Sequence, residues 1–518
     1  MNTRAHTLRN TLFSSVGLYT EYVLGMLTSI IIARYLGPKD FGGYSMVIWL
    51  VAMGVAITNS GTASAAIKFL AELRGSGREE MIQVLLDNLR RVQRFFLLFV
   101  LLVGAALFIF AAEHVETGMN RWMLVGFLAI ATSLRAAYMF NIGVAKGFEN
   151  FRATAIVSLV CTPLNLALVI AAWFFNAPVQ WLLAVFVISS FVFFFISYRQ
   201  VKPLMPERRS GIKLPALLSK RVNRHIVWTA LIGSVGFLAA SEMEVLFLNL
   251  YADSHAAGQF KVAYQLGQGA AMLVPGVFGA LLLPMMASAL SQGREVAGRR
   301  FVASTTYLTL LAMPLVAFGA MFSRTVIHLL YGNAYYLAGS AFAFCLAAAS
   351  ISTITLGGAS LLVSADRQRS ILLLVVGCAL LKVLLDAVLI AKFGLSGAVA
   401  AYVAVTVVNA IAVIALAIKV SHVMPDWERL ARVVLAAACA GLVTLPLRGH
   451  FPPILEVILG GVVLAGTYLP ITMLLRCWSR GDVAQMQQLY RRYAPGKPRV
   501  GVRFLDWAYG RAHQGGVP

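Results

Sequence analysis

Two short polar stretches with related sequences decide the fold. Residues 35–47 read YLGPKDFGGYSMV, and residues 250–264 read LYADSHAAGQFKVAY. Each stretch follows a long apolar segment, and an offset of 215 residues aligns Gly43 with Gly258 without a gap. A glycine in such a stretch is typical of a helix end, where a side chain would clash or φ must be positive. The repeat therefore predicts two related helical units.

The composition places these units in a membrane. Of the 518 residues, 59% are hydrophobic and only 12% are charged, whereas soluble proteins carry about 25% charged residues. Apolar stretches of about 20 residues can cross a bilayer as helices. The sequence contains fourteen such spans, near residues 11–33, 41–66, 95–112, 119–141, 154–175, 179–198, 225–250, 262–290, 301–322, 337–363, 371–391, 396–418, 433–447 and 454–475.

The distribution of basic residues predicts how the spans are oriented. The formal net charge is +22, and with the N-terminus inside, the inner segments carry 34 Lys and Arg residues against 7 on the outer loops. This bias predicts that both termini are cytoplasmic, and it matches anionic membrane lipids. It also excludes nucleic acid, which the basic charge would otherwise suggest as a partner.

A second pair of stretches supports the repeat. GFENFRAT at 147–154 aligns with SADRQRSI at 364–371 at an offset of 217. We therefore expect an all-α polytopic membrane protein with about fourteen transmembrane helices, in which two pseudo-symmetric six-helix lobes precede two extra C-terminal helices. The expected divisions are an N-lobe at 1–198, a basic cytoplasmic linker at 199–224, a C-lobe at 225–418, two additional spans at 419–475 and a basic cytoplasmic tail at 476–518. Two lobes with a cavity at their interface are typical of an alternating-access transporter.

Residues 79–93 form the most regular pattern outside the spans. Apolar side chains recur there at helical spacing, at Ile82, Leu85, Leu86, Leu89 and Val92. The pattern predicts either an amphipathic helix on the inner leaflet or a cytoplasmic extension of the third span.

Enzyme and metal motifs do not stand out. No HExxH, Walker A or GxSxG pattern occurs in a supporting context, and no outer loop exceeds about 14 residues. The five cysteines are scattered, and we expect them to be small buried apolar residues: Cys161, Cys345, Cys378, Cys439 and Cys477. We therefore expect a protein without a cofactor or a metal, and transport driven by a substrate or ion gradient.

Three motifs resemble those of Wzx-like polysaccharide flippases of the MOP superfamily. ARYLGPKDFGGYS at 33–45 resembles the loop after that family's first helix. KFGLSGAVAAYV at 392–403 resembles its eleventh-to-twelfth-helix junction, and YGNAYYLAG at 331–339 is similar to the turn before its tenth helix. The resemblance, which covers most of residues 10–420, implies a bacterial inner-membrane protein that moves an undecaprenyl-diphosphate-linked oligosaccharide to the outer leaflet. The alternatives are a MATE-like cation-coupled multidrug antiporter and a membrane-embedded glycan polymerase or glycosyltransferase.

Six charged side chains are expected near mid-bilayer, where each ionised group costs about 2.5–3.5 kcal/mol on insertion scales. They are Glu21, Arg135, Glu242, Glu244, Lys382 and Asp386. Lys382 and Asp386 are four residues apart and can pair along one helix face, with a role toward substrate or proton as the alternative. Glu21 and Arg135 lie at similar depths, so we hypothesise that they form an ion pair.

Glu242 and Glu244 are expected to point in different directions. On one helix, two residues correspond to about 200° of rotation, so both cannot face one cavity. The resemblance favours Glu244 as the cavity-facing residue, whereas the middle of the span lies closer to Glu242. Burial penalises a charged carboxylate, which suits a site that takes up and releases a proton, and pairing with another helix is the structural alternative.

Neutral polar residues complete the candidate cavity. The resemblance implies that spans one, two, seven and eight line it. Sugar hydroxyls would then meet Asn59, Ser60 and Thr62 on span two, and Tyr264, Gln265 and Gln268 on span eight. Hydrogen bonding between helices is the alternative role. Pro275 and Pro284 predict a kinked span eight.

The intramembrane charges contain more acids than bases, which differs from the cationic cavity expected for a diphosphate carrier. We therefore expect Lys68, Lys146 and Arg152 to hold the diphosphate at the inner mouth. Coupling to H⁺ or Na⁺ and binding of polysaccharide-assembly proteins stay open.

Overall fold

The computed structural model describes residues 3–111, 121–207, 214–240, 242–272, 274, 276–481 and short stretches between 483 and 510. Within these residues the chain forms sixteen α-helices, which confirms the predicted all-α fold. They are α1 (Thr3–Gly75), α2 (Ile82–Ala111), α3 (Arg121–Gly147), α4 (Phe151–Phe174), α5 (Val179–Val201), α6 (Ala216–Ala240), α7 (Met243–Tyr251), α8 (Ser254–Met272), α9 (Gly276–Gln292), α10 (Arg294–Tyr331), α11 (Tyr336–Ile354), α12 (Leu356–Ser364), α13 (Gln368–Leu385), α14 (Ala391–Ser421), α15 (Trp427–Val443) and α16 (Pro453–Leu474). A π-helical turn, Asp386–Ile390, joins α13 to α14.

Each predicted span coincides over most of its length with one or two helices. Helix α1 contains the first two spans and kinks at Gly37, whose φ of 72° and ψ of 173° are not helical. Gly394, with φ 52°, makes the equivalent kink between spans eleven and twelve. Among the described residues, nine helical segments are long and apolar enough to cross a membrane, or ten if α6 and α7 count together. With this many segments the chain is a multi-pass membrane protein, as predicted. Two of the segments contain two predicted spans each.

Two spans are interrupted. Span seven consists of α6 and α7, which are bent by 57° with respect to each other. Span eight consists of α8 and α9, in line with the predicted break. Pro275 lies outside the described residues, and α9 continues through Pro284, so a kink at Pro284 stays a prediction.

The apolar face of residues 79–93 packs inside the protein. Leu85, Leu86 and Leu89 are fully buried in a core that includes Phe69 of α1 and Val222 of α6. Because α2 runs without a break from Ile82 to Ala111, this segment is a continuous extension of span three. The alternative of a helix lying on the inner leaflet is wrong, since protein rather than lipid covers its apolar face.

The chain packs as two compact units. The first comprises Met1–Lys261 and Val375–Ala398, and the second comprises Val262–Leu374 and Val399–Pro518. These divisions fall within α8, α13 and α14, whereas the expected lobes begin and end between helices. The lobe boundaries therefore stay a prediction.

The second unit is centred on α10. Phe301 of α10 is buried among Leu361 of α12 and Ala417 of α14. Farther along α10, Ala317 packs against Ala440 of α15 and Leu464 of α16. The two extra C-terminal helices are thus integral to the apolar core of this unit.

Residues with left-handed backbone recur at a nearly constant interval. Gly77 (φ 70°) and Gly293 (φ 131°) are 216 residues apart, and Glu149 (φ 56°) and Asp366 (φ 54°) are 217 apart. Asn176 (φ 50°) and Gly394 are 218 apart. A positive φ is uncommon for Glu and Asp, so its recurrence at aligned positions is what two copies of one unit would produce.

The two opening polar stretches contact each other reciprocally. A Cβ on Gly42 would overlap the carbonyl oxygen of Ser254, and a Cβ on Gly258 would overlap that of Pro38. An offset of 216 relates the members of both pairs, since it maps Pro38 to Ser254 and Gly42 to Gly258. The contact favours a register one residue longer than the expected pairing of Gly43 with Gly258.

Gly258→Ala should destabilise the protein, because the new methyl group meets a backbone carbonyl that cannot rotate away. Overpacking of this kind costs about 1–3 kcal/mol, which a lower thermal unfolding temperature of the purified protein would report. Gly25→Ala is the matched control, since no atom lies within 4 Å of the added Cβ. Equal unfolding temperatures for the two variants would contradict the close contact.

Candidate functional site

A fully buried group of three ionisable side chains joins two distant parts of the sequence. Lys382 of α13 places its Nζ 3.1 Å from Oε1 of Glu244 in the first turn of α7. Glu244 and Asp386 are 0% exposed, and Lys382 is 2% exposed. We refer to Glu244, Lys382 and Asp386 as the buried acid–base cluster.

The local backbone explains how this cluster forms. The break before Met243 brings a helix start into the protein interior, where the helix dipole favours the carboxylate of Glu244. The π-helical turn begins at Asp386 and packs against α7. Turns of this type are frequent at functional sites. Neither carboxyl oxygen of Asp386 has a hydrogen-bond partner within the described part of the chain.

The expected pairing of Lys382 with Asp386 is therefore corrected. The ion pair that the structure contains joins Lys382 to Glu244, on a different helix. An i,i+4 spacing identifies an acid that lies within reach, but it says nothing of acids brought in by the tertiary fold.

Glu242 lies outside the cluster. It precedes α7 and forms an ion pair with Lys261 of α8, and both side chains are about one-fifth exposed. The helix break separates Glu242 from Glu244, so the expectation of one continuous helix is wrong. The two acids do meet different partners.

The hypothesised Glu21–Arg135 ion pair does not form among the described residues. Oε2 of Glu21 accepts a hydrogen bond from Ser158 at 3.2 Å. The guanidinium of Arg135 lies over the ring of Phe193, 4.4 Å from its centroid, and its Nε donates to Ser190 at 2.9 Å. A similar depth in a bilayer does not fix how each helix is rotated about its own axis. The rotation of α3 directs Arg135 toward α5.

Two further aromatic rings contact Arg135. Its guanidinium carbon lies 4.8 Å from the Phe186 centroid and 6.0 Å from the Tyr138 centroid. Sequence reasoning missed this cage, although Phe186, Ser190 and Phe193 recur at helical spacing on α5 and offered a signal.

Asn59 takes part in a hydrogen-bonded junction between helices. Its Nδ2 donates to the carbonyl of Ala136 at 3.0 Å, and its Oδ1 accepts from Gln93 at 2.8 Å. The hydroxyls of Ser60 and Thr62 donate to backbone carbonyls one turn earlier. These contacts match the structural alternative that the sequence left open, and Gln93 is a member that sequence reasoning missed.

The candidates on span eight form a small polar and aromatic group. Gln268 donates to the hydroxyl of Tyr264 at 3.2 Å, and the rings of Tyr264 and Tyr402 meet edge to face with centroids 5.2 Å apart. Gln265 is half-buried on the same helix. The geometry brings Tyr264 and Gln268 together.

The three bases expected at the inner mouth are exposed. Lys68, Lys146 and Arg152 lie near the ends of α1, α3 and α4, and α1 packs against both of the other helices. The Lys68 ammonium lies 5.4 Å from the ring centroid of Phe69. These side chains are therefore accessible to an anionic group.

The other side chains that could carry chemistry, Glu456 and the five cysteines, are surrounded by the packing and hydrogen bonds of the fold. Glu456 is buried on α16 and accepts hydrogen bonds from Thr325 and from the backbone of Gly449. Four cysteines are buried and Cys439 is partly buried, all with free thiols, as expected. The described residues contain no group of three His, Cys, Asp or Glu side chains that could hold a metal ion.

Comparison with known families gives the class of the protein. The model of the family described as "Polysaccharide biosynthesis protein" matches residues 7–290, which is more than half of the chain. The chain therefore belongs to this family, and the resemblance drawn from its sequence motifs is confirmed. None of the curated proteins has a significant sequence match to the chain.

Solved structures share the fold. The chain is similar to "Lipid II flippase MurJ, inward closed conformation" with a TM-score of 0.70 and 11% identity, over 90% of this chain and 98% of that one. It is also similar to an inward-facing multidrug resistance MATE family transporter of the MOP superfamily, with a TM-score of 0.60 and 16% identity, over 79% and 98% of the two chains. At these identities the likeness establishes the fold alone.

Glu244→Gln should lower the thermal unfolding temperature, because it removes the carboxylate beside a fully buried ammonium. An uncompensated buried charge costs about 3–5 kcal/mol, of which Asp386 offsets a part by taking up the negative charge. Adding Lys382→Met should restore most of the loss.

The exposed Arg221–Glu72 pair, with side chains 45% and 40% exposed, supplies the control for that measurement. Exposed pairs contribute about 0–1 kcal/mol, so Glu72→Gln should change the unfolding temperature little. If Glu244→Gln were as mild as Glu72→Gln, the cluster would not be an energetically important contact.

Reversing the charges of Glu21 and Arg135 together should be as destabilising as Arg135→Glu alone. A carboxylate at position 135 would face the negative faces of the surrounding rings, whatever stands at position 21. Arg135→Lys should be milder, since it keeps the cation–π attraction of about 0.5–2 kcal/mol. Thermal unfolding of these three variants checks this, and recovery of stability in the double reversal would argue for a direct ion pair.

Proposed function

We propose that this protein is an alternating-access flippase that moves an undecaprenyl-diphosphate-linked oligosaccharide from the inner to the outer leaflet of the bacterial inner membrane. The observation that carries the proposal is the match of residues 7–290 to the polysaccharide biosynthesis family. The shared fold with a structure titled as a lipid II flippase supports a lipid-linked cargo.

The proposed topology has both termini in the cytoplasm. The distribution of Lys and Arg, 34 on inner segments against 7 on outer loops, supports it. The proposed moving parts are the lobes at 1–198 and 225–418, joined by the linker at 199–224. The recurrence of left-handed residues at 216–218 positions supports two related lobes.

The proposed cargo meets the protein in two chemical environments. Lys68, Lys146 and Arg152 bind the diphosphate, because they are exposed cations on helix ends that pack together. Sugar hydroxyls meet neutral polar groups such as Tyr264, Gln265 and Gln268. The basic tail at 476–518 is the proposed contact for anionic lipids or polysaccharide-assembly proteins.

The second candidate is a MATE-like antiporter that exports an organic cation. The shared fold with a MATE transporter and the buried acids Glu244 and Asp386 favour it. The family match favours the flippase, since that family is described by polysaccharide biosynthesis. A membrane-embedded glycan polymerase or glycosyltransferase has less support, because both the family and the fold point to a transporter.

Deleting the gene should cause a lipid-linked glycan to accumulate on the cytoplasmic side of the inner membrane. Without a flippase, the assembled oligosaccharide stays where it is made. Mass spectrometry of extracted lipids, combined with sidedness labelling in vesicles, measures this. Unchanged lipid-linked glycans together with increased drug susceptibility would favour the antiporter.

Complementation of the deletion tests the three bases in the same strain. A variant with Lys68→Gln, Lys146→Gln and Arg152→Gln should reach the membrane and fail to restore transport. Lys392→Gln, which neutralises an exposed lysine in a predicted outer loop, is the matched control and should restore it. Full activity of the triple variant would remove these residues from the proposed diphosphate site.

A further inference from the structure

The buried acid–base cluster contains one more acid than base. If Glu244, Asp386 and Lys382 were all ionised, the fully enclosed group would carry a net charge of −1. Removing even one charge from water costs several kcal/mol unless it is compensated. A single bound proton makes the cluster neutral.

The surroundings of the two acids differ, and this difference locates the proton. Glu244 lies 3.1 Å from the Lys382 ammonium and in the first turn of a helix, and both features favour its anion. The carboxyl oxygens of both acids are buried without a hydrogen-bond partner among the described residues, but Asp386 lacks the ion-pair contact that Glu244 makes with Lys382. A protonated carboxyl tolerates such a setting far better than a carboxylate does.

The charged groups that act on the cluster are few. The carboxyl of Glu244 interacts electrostatically with Lys382 and with Glu242, and Glu242 is itself paired with Lys261. The carboxyl of Asp386 interacts electrostatically with Glu244 and Lys382. Within the described residues, the cluster therefore behaves as two carboxyls that share one fixed cation.

Lys382 also bears on which ion the cluster can take up. A metal cation bound to Asp386 would lie close to the ammonium of Lys382 and be repelled by it. Hard cations require several oxygen ligands around them. A proton forms one O–H bond and needs no coordination shell.

We infer that Glu244, Lys382 and Asp386 form a single-proton site, in which Lys382 acts as a built-in cation that selects H⁺ over Na⁺. Resting on the proposed function, the inference makes the transporter proton-coupled. Lys382 is then a specificity-determining residue, and Asp386 is the proton-carrying residue.

Thermal unfolding of the full-length protein in detergent tests the site without any transport substrate. The wild-type unfolding temperature should not change when Na⁺ replaces K⁺ at constant ionic strength. It should fall as the pH rises, because loss of the proton leaves an uncompensated buried charge. Asp386→Asn should remove a large part of this fall, whereas Glu72→Gln should leave it unchanged.

Lys382→Asn provides the complementary variant. Without the ammonium, two carboxylates and an amide oxygen are left to attract a metal cation, so Na⁺ should raise the unfolding temperature of this variant. If it does not fold, the wild-type and Asp386→Asn measurements still decide the matter. Stabilisation of the wild type by Na⁺, or an unchanged pH dependence in Asp386→Asn, would overturn the inference.

These outcomes separate the proton site from the proposed cargo. A wild type that is insensitive to Na⁺ but titrates through Asp386 supports the site even if the deletion strain shows a drug-export defect. Conversely, a confirmed glycan flippase whose wild-type form is stabilised by Na⁺ would reject the site and keep the flippase.

Discussion

A charged side chain enclosed in an apolar protein must find its opposite charge inside the same protein, and the Glu244–Lys382 contact meets this requirement. The segment Val375–Ala398 belongs to the first compact unit although more than a hundred residues separate it from the rest of that unit. Lys382 on this segment and Glu244 on α7 are enclosed together. Because either ion alone would be strongly penalised, the pair favours the arrangement in which this segment packs against α7.

The sequence predicts best the features that depend only on composition and on the order of residues along the chain. A bilayer demands apolar helices of a minimum length, so the spans can be recognised from composition alone. Gly37 and Gly394 could be expected at turns because they stand between two apolar stretches. The choice of partner for Arg135 or Lys382 could not be predicted, because it depends on the rotation of each helix. The spacing of residues 79–93 likewise reveals an apolar face without revealing whether lipid or protein covers it.

The two copies of the repeat preserve backbone geometry more than side chains. Glu149 and Asp366 share a left-handed conformation, and each lies two residues before the start of a new helix. Gly42 and Gly258 share close contact with a carbonyl oxygen of the opposite stretch. By contrast, the buried acids of α7 and the π-helical turn have no counterpart that the alignment identifies. A repeat of this kind supplies related scaffolds, and within the part of the chain that the structure describes, the buried acid–base cluster occurs in one copy only.

The location of the bases bears on the apparent conflict between an acidic membrane interior and the proposed anionic cargo. Of the two bases within the predicted spans, Lys382 is engaged by Glu244, and Arg135 lies against three aromatic rings and Ser190. Neither contact leaves its base as an exposed cation for a diphosphate. Exposed bases such as Lys68, Lys146 and Arg152 lie instead near helix ends, where water and lipid headgroups reduce the cost of their charge. An anionic headgroup held there would leave the interior to neutral sugars, and the excess buried acid would then be free to carry a proton.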